Sequence, residues 1–330
     1  MTRAVLAALP AGFMIWHADA AEPIKLQLPV KCEIGRDCFV QQYFDHDPGP
    51  GFKDYSCGRQ SADGHKGTDI RLRSTADAES DVAVLAAADG IVTGRRDGMA
   101  DQLVKSPSMP AAIKNRQCGN GVVLEHLNGW QTQYCHMKRD SVRVRKGDEV
   151  RAGDVLGAIG YSGAAGFAHV EFVVRKDGKA IDPFAGPGAD TGICGPGTTP
   201  LWRASTMEGL KYRPGQVLDV GFSGGKVSLS EVETGAVRGF VPAPESPALV
   251  AWGWAINLEK GDRLVAVLKG PEGEVGRNSV TLTRRKAQYM LFAGKRRKGE
   301  RWPRGRYTAF FGVIRDGEPI LRAGRPFDMP

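Results

Sequence analysis

The segment Phe167-Ala-His-Val-Glu-Phe-Val-Val174 alternates in polarity with the period of an extended strand. Successive strand side chains point to opposite faces. Val170, Phe172 and Val174 should therefore face a core, while His169 and Glu171 emerge together on the other side. An imidazole and a carboxylate two residues apart can ligate a metal, exchange protons, or stand solvated. More groups of this kind lie upstream. Gly64-His-Lys-Gly-Thr-Asp69 holds His65 and Asp69 in H-x3-D spacing, and Gln133-Tyr-Cys-His-Met137 ends a strand in His136. Tyr134, two residues before His136, is expected on the same face, where it could help hold a substrate. His126 at a hairpin end and His46 in Asp45-His-Asp-Pro-Gly-Pro-Gly51 read as structural residues.

These side chains need strands to position them, and the chain supplies candidates at Val82–Ala87, Gly90–Arg95, Gly121–Leu127, Trp130–Met137 and Ala168–Val174. Asn128-Gly129 between two of them predicts a two-residue type I′ hairpin turn. Val142–Gly160 is a strand–turn–strand cornered by glycines. Lipoyl and biotinyl carriers share that pattern, but no lysine stands where a hairpin tip would present it. The long loop Asp97–Gln117 is of the kind that is usually functional or mobile. Gly186–Pro200 is rich in glycine and proline and reads as a linker between residues 21–185 and 201–330. The second half carries about seven strand candidates, among them Ala248–Ile256, Arg263–Leu268, Ala287–Ala293 and Tyr307–Ile314. This pattern predicts an immunoglobulin-like β-sandwich. It has no catalytic-looking constellation and reads as a binding or spacer module.

The N-terminus is expected to leave the fold. Arg3, the apolar run 4–16 and Ala18-Asp-Ala20 have the layout of a secretory signal peptide, residues 1–20, and the run is too short to span a bilayer. No later segment is a membrane span. Export into an oxidising compartment, a periplasm, suits the six cysteines, which lack C-x-x-C pairs. With a two-residue turn, Leu127 faces Trp130 and Cys135 faces Val122. Cys118 then lies four residues farther along, roughly 13 Å away and beyond the ~7 Å Cα limit for a bridge. Cys118 and Cys135 are thus expected to be unpaired with each other, with Cys32–Cys38, Cys57–Cys118 and Cys135–Cys194 as the favoured bridges. Of the net charge of +8, Arg284–Arg306 supplies more than the whole, with ten Lys/Arg against Glu300 alone. Nucleic acid is a poor partner for an exported chain, so this segment is expected either to meet an anionic envelope polymer or to be a solvated face.

The ordered set His65-x3-Asp69, His136, the glycine-cornered strands, His169-x-Glu171 and Asp182-Pro-Phe184 resembles the lysostaphin-type (LytM-like) zinc metallopeptidases of peptidoglycan, from about Gly64 to Phe184. The resemblance implies a mainly β fold, the β-rich duplicated hybrid motif, in residues 21–185. It also implies an exported endopeptidase acting on peptidoglycan cross-links or stems. In such a protein His65 and Asp69 are zinc ligands and His136 and His169 are catalytic. The family's third ligand is the second histidine of H-x-H, and here that place is held by Glu171. A His-Asp-Glu set nominally neutralises a divalent ion. Its Lewis acidity is then expected to be weaker, with some shift toward harder metals such as Mn²⁺. The alternative the family offers is a catalytically inactive protein that binds peptidoglycan or regulates another wall hydrolase.

Overall fold

The computed structural model describes residues 23–105, 113–190 and 192–330. The expected signal peptide, residues 1–20, lies outside the described residues, as does 106–112 within the long loop. The fold is mainly β. The first module contains β1 (Cys38–Gln42), β2 (Thr68–Leu72), β3 (Ala83–Leu85), β4 (Gly90–Arg96), β5 (Asn120–Glu125), β6 (Trp130–Met137), β7 (Glu149–Val150), β8 (Val155–Ala158), β9 (His169–Lys176) and β10 (Lys179–Ile181). The large antiparallel sheet runs β1-β2-β9-β6-β5-β4-β7, with β10 on the flank of β9 and β3-β8 as a separate pair. Its core face is the one the alternation predicts: Ile70, Val170, Phe172 and Val174 are all fully buried in one apolar cluster.

The second half forms β11 (Gln216–Ser223), β12 (Ala248–Leu258), β13 (Arg263–Gly270), β14 (Gly273–Thr281), β15 (Lys286–Arg296), β16 (Gly305–Arg315) and β17 (Glu318–Met329). Two antiparallel sheets, β11-β12-β15 and β14-β13-β16-β17, close an immunoglobulin-like sandwich over Leu249, Ala251, Leu264, Ala266, Phe311 and Val313. This sandwich does not hang free. Phe39 of β1 is buried in a cluster with Trp252 and Trp254 of β12. Around it Gln216 donates to the Val40 carbonyl and Asn257 to that of Gln41. Leu201, Trp202 and Leu210, just past the Gly/Pro-rich segment, pack into the first core.

The disulfides correct the sequence reading. Cys32–Cys38 pairs as expected, but the other bridges are Cys57–Cys194 and Cys118–Cys135, not Cys57–Cys118 and Cys135–Cys194. The β5–β6 loop is the cause. It has three residues, Leu127-Asn128-Gly129, closed by His126 N–H donating to the Trp130 carbonyl at 2.9 Å. A register shift between Asn120 and Val122 then moves Asn120 opposite Met137. Gly119, at φ +64°, turns the chain back instead of extending the strand. His136 N–H thus reaches the Cys118 carbonyl at 2.8 Å, and the Cys118 and Cys135 Cα atoms lie 4.7 Å apart.

Candidate metal centre

Strand pairing assembles most of the site. In the β2–β9 register Asp69 stands opposite Glu171 and Arg71 opposite His169, all on the face away from the apolar core. On the other flank of β9, Cys135 of β6 stands opposite Glu171. His136 has φ +63°, a left-handed conformation that is uncommon outside glycine. There the strand's alternation breaks, and the ring enters the cleft. Tyr134 therefore does not share its face. It is fully buried opposite Phe172, its hydroxyl accepting from Ala87 N–H and the Thr132 hydroxyl, and it has no surface to offer a substrate.

His65 comes from the loop before β2, and that loop is pinned. Both Asp45 carboxylate oxygens take backbone N–H groups: Oδ1 from Asp47 and Lys53, Oδ2 from Gly64 at 2.8 Å. Asp45 N–H in turn donates to the His65 carbonyl at 2.8 Å. His46 is a buried partner of Asp182, Nε2 to Oδ2 at 2.6 Å. His126 is held between the Asp89 carbonyl and Thr132 Oγ1. Both are structural, as expected.

The five residues named from the sequence converge on one cleft of about 340 Å³. Ligand-type atoms of His65, Asp69 and Glu171 all lie within 4.8 Å of one another. His65 Nε2 is 3.3 Å from Asp69 Oδ1, and His65 Nδ1 is 3.8 Å from Glu171 Oε1. His136 Nε2 stands 3.5 Å from Glu171 Oε2, and His169 Nε2 3.8 Å from Asp69 Oδ1. His65 Nε2 and Asp69 Oδ1 are buried and have no hydrogen-bond partner. Apart from their mutual 3.3 Å contact, nothing offsets the desolvation of these two atoms, a cost on the order of 1–3 kcal/mol for a group left without a hydrogen bond. A cation among them relieves that cost, and an N,O,O donor set suits a catalytic divalent site. The residues present fit a metal.

His136 and His169 are aimed differently. Their Nδ1 atoms contact the carbonyls of Ser162 at 2.8 Å and Phe167 at 2.9 Å. A carbonyl only accepts, so Nδ1 carries a proton in each ring, and Nε2 is the nitrogen each ring turns toward the cleft. Burial pulls the His169 ring down to about 4, despite the Asp69 carboxylate, with His136 adding to the fall. His65 goes the other way. Burial lowers it, but Asp69, then Glu171 and Asp45, outweigh that and raise it to about 9. Burial would raise the Asp69 carboxyl, yet His65 and His169 hold it below the usual range.

Residues 63–183 match the model of Peptidase family M23. Among curated relatives, DD-carboxypeptidase/endopeptidase Mpg of Neisseria meningitidis serogroup B is 29% identical over 102 residues, 30% of this chain and 19% of that protein. Cell division protein DipM of Caulobacter vibrioides is 34% identical over 71 residues, 20% of this chain and 11% of its own. The chain thus spans a fifth or less of these relatives' length. Among solved structures, the catalytic domain of the prophage-encoded M23 protein EnpA from Enterococcus faecalis aligns with 49% of this chain and 95% of its own. The TM-score is 0.32 and the identity 19%. The catalytic domain of lysostaphin from Staphylococcus simulans covers 43% and 85%, with TM-score 0.28 and 20% identity.

Gln42, Gln117 and Phe167 also line the cleft and were not singled out from the sequence. Phe167 sits two residues before His169, so its alternation face was readable. Gln42 enters through a register shift in β1 that no local pattern announces.

Proposed function

We propose that the protein is an exported, periplasmic metalloendopeptidase that hydrolyses peptide bonds in peptidoglycan cross-links or stems. His65, Asp69 and Glu171 hold one divalent ion, zinc or a harder metal such as manganese, and His136 and His169 handle protons. The observation that carries this reading is the convergence of His65, Asp69 and Glu171, whose buried His65 Nε2 and Asp69 Oδ1 have no well-formed hydrogen bond, faced by two histidines whose Nε2 atoms turn toward the cleft. The family match and the peptidase names of the relatives support the substrate class.

The ion, when bound, supplies Lewis acidity toward the scissile carbonyl and toward water. The protein's own part is orientation and proton transfer. One Nε2 accepts the proton of the attacking water and passes it to the leaving amine, while the other ring, having taken a proton from solvent at Nε2, donates to the developing oxyanion. Backbone carbonyls lock both tautomers, so neither ring has to reorient during the reaction.

A second reading rests on Glu171 itself. Its carboxylate lies between His65 and His136, so it could pair with the latter instead of ligating, as in a non-catalytic regulator that binds peptidoglycan. Metal content separates the two readings. Purified wild type should hold one equivalent of metal and release muropeptides from sacculi. Glu171→Ala, His65→Ala and Asp69→Ala should lose the metal, while His136→Ala keeps it and loses activity. Glu171→His should retain metal and turn over faster or at lower pH, since the shell loses a negative charge. Retention of metal by Glu171→Ala, or metal-free and inert wild type, would overturn the proposal.

A further inference from the structure

The face of the sheet that carries the site is divided. Its Asp69–Glu171 end is open as the cleft, whereas its Phe39–Arg71 end is covered by the sandwich. At the border stands Arg71, only 2% exposed. Its guanidinium donates to neutral acceptors alone: the Leu72 carbonyl at 3.0 Å, the Arg73 carbonyl at 3.3 Å, and Gln41 Oε1. Among the described residues no carboxylate lies within salt-bridge distance of it. Burial lowers it to about 9, opposed only by the more distant Glu233.

A buried, unpaired cation is costly, and a well-packed apolar residue commonly serves stability as well or better. What Arg71 has that an apolar residue lacks is a flat charged face on each side. The guanidinium carbon lies over two aromatic rings, 5.0 Å from the centroid of Trp254 of β12 and 4.7 Å from that of Phe167. The Phe167 ring is in turn 4.4 Å from the His169 ring, and His169 is 4.5 Å from His136. Gln41, which holds the guanidinium, is itself fixed by Asn257 of the sandwich through its carbonyl at 3.1 Å.

We infer that Trp254 and Arg71 are positioning residues for the cleft, acting through Phe167 to set the orientation of His169. The sandwich is then a working part of the site. Cation–π stacking favours a guanidinium held over an aromatic face, and here two rings restrain it. Phe167 cannot tilt away without losing that contact, and His169 is confined between Phe167 and His136. This inference rests on the catalytic role proposed for His169, but its geometric content does not.

The experiment uses the full chain with Arg71→Met, Arg71→Lys, Trp254→Leu and Trp254→Phe. NMR of the imidazole ring resonances reads the orientation of His169 through the ring current of Phe167. The His169 signals should move in Arg71→Met, Arg71→Lys and Trp254→Leu and stay near wild type in Trp254→Phe, which keeps an aromatic face. His126 signals should stay put in all four and thereby report an intact fold. Arg71→Lys keeps a charge at the site and serves if Arg71→Met fails to fold. On sacculi, kcat should fall about tenfold to a hundredfold in the three disrupted variants at unchanged metal content, with KM little altered. Unmoved His169 signals in folded Arg71→Met and Trp254→Leu would overturn the inference. Inert wild type with the expected shifts would instead overturn the catalytic reading and leave the positioning intact.

Discussion

Glu171 reaches from β9 toward His65 and His136, across the backbone just before β2. Residue 67 is glycine because a Cβ there would stand 2.8 Å from Glu171 Cγ and 3.1 Å from Oε1. The carboxylate needs the space. Gly67→Ala should push Glu171 aside and weaken metal binding by about 10- to 100-fold, as loss of groups that orient a ligand usually does. Competition with a chelating dye measures this, and unchanged affinity would show that Glu171 does not need its present place. His65, Asp69, His169 and Glu171 were legible as candidates because their spacing is local, whereas Gln42 and Gln117 of the same cleft were not. H-x3-D and H-x-E are fixed by spacing and strand alternation. Asp45 was not legible, since three backbone N–H groups from scattered positions meet its carboxylate only after folding.

Strands were readable for the same reason, with Trp130–Met137 matching to the residue and others to within a few. The registers were not. Asn128-Gly129 fits a two-residue turn, but the Asn128 and Gly129 conformations, at φ +59° and +72°, serve a three-residue loop. That one added residue, with the turn at Gly119, reversed the disulfide expectation. The same hairpin carries a pH dependence. Burial holds the His126 ring below its ordinary value, against the opposing pull of Asp89 and Glu125. The unfolded chain therefore takes up the extra proton first as the medium acidifies. His126 contributes its full stability above about pH 6.5 and loses it as pH falls toward the depressed folded-state value. Urea titrations at about pH 7.5 and 5.5 should show wild type losing more stability than His126→Gln. Equal losses would remove His126 from the acid response.

For the whole molecule, the Gly/Pro-rich segment reads as a break between two halves but says nothing of their contact. Phe39 reads as an ordinary strand residue, and only the fold places it against Trp252 and Trp254. The basic segment is also less uniform than its sequence. Arg301 pairs with Glu245, Arg306 with Asp328, Arg297 with the carbonyls of Gly299 and Glu300, and Arg285 lies over Phe52. Lys295, Arg296 and Lys298 stay exposed. If they dock anionic wall polymer, full-length protein should sediment with sacculi and be released by salt. Charge reversal at those three positions should abolish retention, and unaltered sedimentation would leave the segment a solvated face. Finally, Cys57–Cys194 joins positions 137 residues apart and anchors the middle of the Gly/Pro-rich segment to the first module. Pro187, Gly188 and Asp190 are exposed just ahead of that anchor. A protease that nicks the chain there frees no fragment. The product should migrate as one species on a non-reducing gel and as two after dithiothreitol, so that a cut molecule goes on as a two-chain protein.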